Sequence, residues 1–160
     1  MTLNTTASRR RFLFLSGLGL IAGCSTTSVL TPTPGVEDHT AAALPIVNKL
    51  RQAKGLPALS SNGPARKAAA VQAIRMAKAD QMKHLIGLGD DFASRMKRSD
   101  VSLPAAENIA TGQSSVEAAV QAWIDSPKHL HNMLGRFSGL GVAVAKTKDG
   151  RPYWAMVLSG

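Results

Sequence analysis

The chain has one cysteine, Cys24, so it can form no internal disulfide. The apolar run from Phe12 to Ala22, FLFLSGLGLIA, is far shorter than the about 20 residues a transmembrane helix needs. Acids are scarce, 10 against 19 lysines and arginines. Aromatic residues make up only 4% of the chain, and none interleave with basic residues as a base-stacking surface requires. No G-x-S-x-G elbow is present, which removes the usual setting for a serine nucleophile. Gly135, Gly139 and Gly141 lack the strand–glycine–helix order of a dinucleotide-binding loop. No internal repeat is visible.

The N-terminus is informative. Arg9, Arg10 and Arg11 precede the short apolar run, which ends in Ile21-Ala22-Gly23-Cys24. A basic stretch, a short apolar stretch and small residues form the layout of a secretory signal over residues 1–23. The last four residues resemble a bacterial lipobox, in which the thiol receives lipid, and Ser8-Arg9-Arg10-Arg11-Phe12-Leu13 resembles a twin-arginine export signal. The expectation is an exported chain, lipid-anchored to a membrane through Cys24 and placed in the cell envelope on the extracytoplasmic side. Removing residues 1–23, which hold three arginines and no acid, takes the formal charge from +9 to +6. That surplus favours anionic partners such as envelope lipids or glycans; export makes nucleic acid an unexpected one.

Residues 24–40, rich in Ser, Thr and Pro, read as a tether. The globular domain is expected over 41–160, one domain by size. Apolar spacing predicts a helix over 40–54 with Thr40 as its cap, and Pro45 asks for a later start. A turn is expected over 60–64, a long alanine-rich helix over 65–83, and short helices over 90–97, 116–125 and 128–134. Residues 108–112 read as a loop or short extended piece. Strands are expected at 140–145 and 152–158, joined by the Asp149-Gly150 turn. Helices followed by a terminal hairpin argue an α+β fold.

Candidate chemistry rests on His84, Glu107, His129 and His131, each near an expected element end, with Asp125 close by. Histidine and carboxylate suit a metal site or an acid–base pair, but the spacing between them matches no short metal motif. Trp123 and Trp154 read as packing residues, as do Met76, Met82 and Met96.

Several segments together resemble the CAP superfamily (SCP; cysteine-rich secretory protein, antigen 5, pathogenesis-related 1). They are Val47-Asn48 with Arg51 and Gly55-Leu56-Pro57-Ala58-Leu59; Ala77 with His84; Glu107-Asn108-Ile109-Ala110 with Gly112; Trp123 with Ser126-Pro127-Lys128-His129 and Asn132-Met133-Leu134; Phe137 with Gly139-Leu140-Gly141-Val142-Ala143; and Tyr153-Trp154. The resemblance implies an α-β-α sandwich with a small antiparallel sheet, and a cleft floored by His84, Glu107 and His129. It also implies a second glutamate three residues after Trp123, where this chain has Ser126. With that acid missing, a divalent metal such as zinc on His84, Glu107 and His129 is expected to bind weakly. Relatives include lipid binders, toxins and a few proteases. A binding module is therefore the first expectation, and a hydrolase acting on peptide or peptidoglycan the second.

Overall fold

The computed structural model describes Met1 and residues 35–160. The expected signal, Cys24 and most of the expected tether lie outside the described residues. Among the described residues no helix is long and apolar enough to cross a membrane.

The elements run β1 (Val36–Asp38), α1 (Thr40–Ala53), β2 (Ser60–Ser61), α2 (Gly63–Ala79), α3 (Phe92–Arg98), β3 (Ala105–Thr111), α4 (Val116–Ile124), α5 (Pro127–Met133), β4 (Gly139–Lys146) and β5 (Pro152–Ser159). The sheet order is β1-β4-β5-β3, all antiparallel, with β2 lying parallel to one end of β4. Two apolar layers cover it. Along β5, Trp154, Met156 and Leu158 face one core with Val47, Trp123 and Met133. Tyr153, Ala155 and Val157 face the other with Met76, Met96 and the α2 alanines. Strand period two sorts the residues between layers, and burial on both faces explains why β4 and β5 read as almost unbroken apolar runs. This is the α-β-α sandwich with a small antiparallel sheet.

The second layer is tight because small residues face each other: Ala65, Ala68, Ala69 and Ala73 on α2, Ala143 and Ala155 on the sheet. Gly141 is required by that approach, since a Cβ there would lie 2.2 Å from the Arg66 nitrogen and 2.3 Å from the Ala65 carbonyl carbon.

Several boundaries differ from expectation. Thr40 is not a cap; its N–H donates to Asp38 Oδ1 at 2.8 Å, and its buried hydroxyl accepts from the Val142 N–H at 2.9 Å. Pro45 lies inside α1 on an exposed position, so the helix starts ahead of it rather than after it. Residues 36–38, within the stretch read as tether, pair with β4. Ser60 and Ser61 form β2 where a turn was expected. The second helix stops at Ala79, because Asp80 takes a left-handed conformation (φ 49°). Met82 consequently leaves the helix and is exposed, whereas Met76 and Met96 are fully buried. The extended piece allowed for over 108–112 belongs to a full seven-residue strand over 105–111.

Candidate functional site

The site is built at the β3 edge of the sheet. Glu107 is the third residue of β3, inside a strand rather than at an element end, and strand alternation turns it toward the layer that holds Ile109 and Val157. A carboxylate in that layer cannot stay charged without partners. Arg95 of α3 supplies the counter-charge. Its Nη1 donates to Glu107 Oε2 at 2.7 Å and its Nη2 to Oε1 at 3.0 Å, a two-pronged pair. The side chains of Arg95 and Glu107 are only 3% and 2% exposed.

Arg95 is held in turn. Its Nη2 also donates to the His84 carbonyl at 3.1 Å. Its Nε is buried without a hydrogen-bond partner, 3.7 Å from Asp90 Oδ1. Asp90 pairs with Arg75 and accepts the Ile86 N–H at 2.8 Å. Burial acts to raise the Asp90 pKa, but the hydrogen bonds from Arg75 and Ile86 outweigh it and hold the carboxyl below its usual range.

His84 sits in the loop after α2, with Nδ1 2.9 Å from Glu107 Oε1 and half of its side chain exposed. A carboxylate paired with a guanidinium accepts only, so Nδ1 carries the proton in the neutral ring and Nε2 is left as the free acceptor. His129 and His131 are both on α5, on the other side of the cleft. Asn108 fixes that helix to β3: its Nδ2 donates to the His129 carbonyl at 3.0 Å, and its Oδ1 accepts from Asn132 Nδ2 at 2.8 Å. The resulting open cleft, of about 550 Å³, is lined by His84, Glu107, Pro127, Lys128, His129, His131 and Asn132.

The four candidates therefore border one cleft, although they come from a loop, a strand and a helix. Asp125 does not join them; it is exposed and accepts from Gln121 Nε2 at 2.8 Å. Ser126 occupies the N-cap position of α5 and makes no capping bond. As a metal set, His84, Glu107 and His129 fit poorly, because both Glu107 oxygens already accept from Arg95 and one also faces His84. Among the described residues no group of three or more His, Cys, Asp or Glu is arranged to hold a metal ion. Arg95 was not among the sequence candidates. The signal for it was indirect: an acid within an apolar strand requires a cation from elsewhere in the fold.

Burial, then the neighbouring His84, lower the His129 pKa below its ordinary 6.5. The unfolded chain takes up a proton on this ring near pH 6.5, the folded chain only at lower pH. Stability therefore falls as pH drops from 6.5 toward the folded value. In urea denaturation across pH 8 to 5, H129Q is expected to show a shallower fall than the wild type. Parallel profiles would show that the ring titrates as freely in the folded state as in the unfolded one.

A model of the CAP, cysteine-rich secretory protein, family matches residues 44–158, and the chain belongs to that family. No curated protein matches by sequence. Among solved structures, an outer surface protein of Borrelia burgdorferi is similar with TM-score 0.66 and 20% identity, covering 74% of this chain and 90% of that one. An extracellular protein of Bacillus anthracis containing an SCP domain gives TM-score 0.66 and 25% identity over 76% of this chain, but only 40% of its own. A cysteine-rich secretory protein of Staphylococcus aureus gives TM-score 0.56 and 16% identity over 76% of this chain and 38% of its own. The last two are longer proteins, of which this chain spans about two fifths.

Proposed function

We propose that this chain is an extracytoplasmic, lipid-anchored CAP-domain protein that binds an anionic group of an envelope ligand in the His84–His129 cleft. The observation that supports this most is the closed pairing of Glu107 with Arg95. With that carboxylate neutralised, the charged or titratable groups left lining the cleft are His84, Lys128, His129 and His131, all able to donate hydrogen bonds and none able to carry negative charge. A carboxylate or phosphate fits such a set, and peptidoglycan stems, teichoic chains and lipid headgroups all carry one or the other. The outer surface and extracellular placement of the similar B. burgdorferi and B. anthracis proteins supports an envelope address.

The test is a histidine-detected NMR titration with inorganic phosphate and, separately, with a muramyl dipeptide. Binding is expected to shift the His84 and His129 resonances and to raise the His129 pKa, since an anion beside the ring favours its charged form. Histidine resonances unmoved by either probe would sink the reading.

A second reading, hydrolysis with His84 as general base, has one observation in its favour. The ring is oriented by a buried carboxylate and keeps Nε2 free, as a general base requires. No serine or cysteine lines the cleft, so water would be the nucleophile. Turnover of labelled sacculi that is abolished in H84Q would move this reading to first place.

Anchoring has its own test. Cys24 stands where the lipobox places the modified thiol. C24A is expected to abolish lipidation and shift the exported protein from the membrane to the soluble fraction, as read by mass spectrometry and fractionation. An unmodified Cys24 in membrane-extracted wild-type protein would contradict the anchor.

A further inference from the structure

Among the described residues six large apolar side chains are exposed, and three of them, Met82, Leu85 and Leu88, fall within the loop that carries His84. Half of the exposed large apolar side chains thus fall within seven residues of one loop. The loop is not loose. Gln72 Nε2 donates to the Lys83 carbonyl at 2.8 Å and to the His84 carbonyl at 3.2 Å. Arg95 Nη2 reaches the same His84 carbonyl, and Arg75 Nη2 donates to the Ile86 carbonyl at 2.8 Å. Gly87 and Gly89, at φ 93° and 71°, turn the chain on both sides of Leu88. The polar backbone is thus anchored inward by three buried or half-buried side chains, while the apolar side chains are presented outward.

Exposed basic groups face this surface from two sides. Lys83 is exposed within the loop, and Lys128 and His131 are exposed across the cleft. Of the nearby acids, Asp80 is paired with Arg151 and Asp90 with Arg75, while Asp91 caps α3 through the Ser94 N–H and keeps its charge at the far end of the loop.

We propose that the 82–88 loop seats in the surface of an anionic lipid bilayer, with Met82, Leu85 and Leu88 entering the headgroup–acyl boundary and Lys83 and Lys128 at the phosphates. Shallow apolar insertion combined with basic flanks is the chemistry of interfacial binding. A protein partner fits less well, because three side chains supply a few hundred Å² at most, against the about 1,200 Å² of a stable protein interface. The inference goes beyond the cleft reading; the loop is tested without reference to the histidine rings, so either can fail alone.

Because Cys24 is the only cysteine, the full chain carrying Cys24→Ala accepts one environment-sensitive fluorophore at Leu85→Cys. A control places it at Lys49→Cys, exposed on α1 in the opposite layer. With phosphatidylcholine vesicles containing phosphatidylglycerol, the Leu85→Cys label is expected to shift to the blue and to be quenched by acyl-chain spin labels, while the Lys49→Cys label is not. Adding Met82→Ser and Leu88→Ser should abolish the shift. Four results would overturn the proposal. They are no shift at position 85; an equal shift at both positions, which would assign insertion to residues 12–22; an equal shift with neutral vesicles; and a shift without vesicles that grows with protein concentration, which would make the surface a self-association site.

Discussion

Replacing Glu107 by alanine is expected to cost about 3–5 kcal/mol of folding stability, the range for removing one partner of a buried ion pair. The loss comes less from the bond itself than from what remains. Arg95 would keep its charge, 3% exposed, with the His84 carbonyl as its only close acceptor and its Nε already unpartnered. Asp90, 3.7 Å from that nitrogen, is already committed to Arg75. His84 would lose the acceptor on Nδ1 as well, so its ring would cease to favour one tautomer. The double variant R95M/E107L is expected to regain most of the stability, because two apolar side chains remove the buried charges together. Urea denaturation with an unchanged m-value is the measurement. A cost below about 1 kcal/mol, the worth of an exposed pair, would show that water reaches the site.

The second large effect concerns Arg51, which does not line the cleft but holds the helix that does. This guanidinium is 1% exposed and, among the described residues, has no carboxylate partner. Its Nε donates to the Pro57 carbonyl at 2.8 Å, and its Nη1 to the Met133 and Gly135 carbonyls at 2.8 and 2.9 Å. Nη2 lies 3.4 Å from the Phe137 carbonyl. Burial lowers the Arg51 pKa from its ordinary value. Three of these four acceptors lie at the end of α5 or just after it, so Arg51 supplies the donors that the helix end lacks. R51A strands the buried Met133 carbonyl, at about 1–3 kcal/mol, takes the donors from the part-buried Pro57, Gly135 and Phe137 carbonyls, and leaves a cavity, so a loss of about 3–5 kcal/mol is expected. R51K should recover only part of it, since one ammonium cannot span the fork. In NMR, R51A should shift the His129 and His131 resonances and leave His84 nearly unmoved, the reverse of E107A. Histidine shifts of the same pattern in both variants would mean that α5 is not positioned by this cap.

The contrast between Arg51 and Arg95 shows where sequence reasoning reaches and where it stops. The β4–β5 hairpin, the α2 helix and the α4 cap at Ser115 carry local signals: the Asp149-Gly150 turn, an alanine-rich run and a serine followed by Glu117. The strand at 105–111 carries none. It is held by non-local pairing with β5, and its small residues and Asn108 are poor strand formers on their own. A buried arginine looks the same in sequence as a solvated one. Arg95 stands beside Lys97 and Arg98, and only the position of Glu107 across 12 residues selects it. The cleft residues could be named because histidine is scarce, four in the chain. Their partners belong to common residue types and needed the fold.

The way β3 ends the sheet bears on how the protein survives among crowded neighbours. An outermost strand normally offers a row of unused backbone groups to any chain that approaches. Here side chains of the following helices occupy part of that row: Trp123 Nε1 donates to the Ile109 carbonyl at 3.1 Å, and Asn132 Nδ2 lies 3.5 Å from the Glu107 carbonyl. The other outer strand, β1, is only three residues long. A tryptophan and an asparagine that look like core and cleft residues thus also cover acceptors that a foreign strand would need. Asn132→Ala, which leaves the buried Trp123 in place, should yield protein that folds but adds strands from other copies, with amyloid-type dye binding rising as concentration increases.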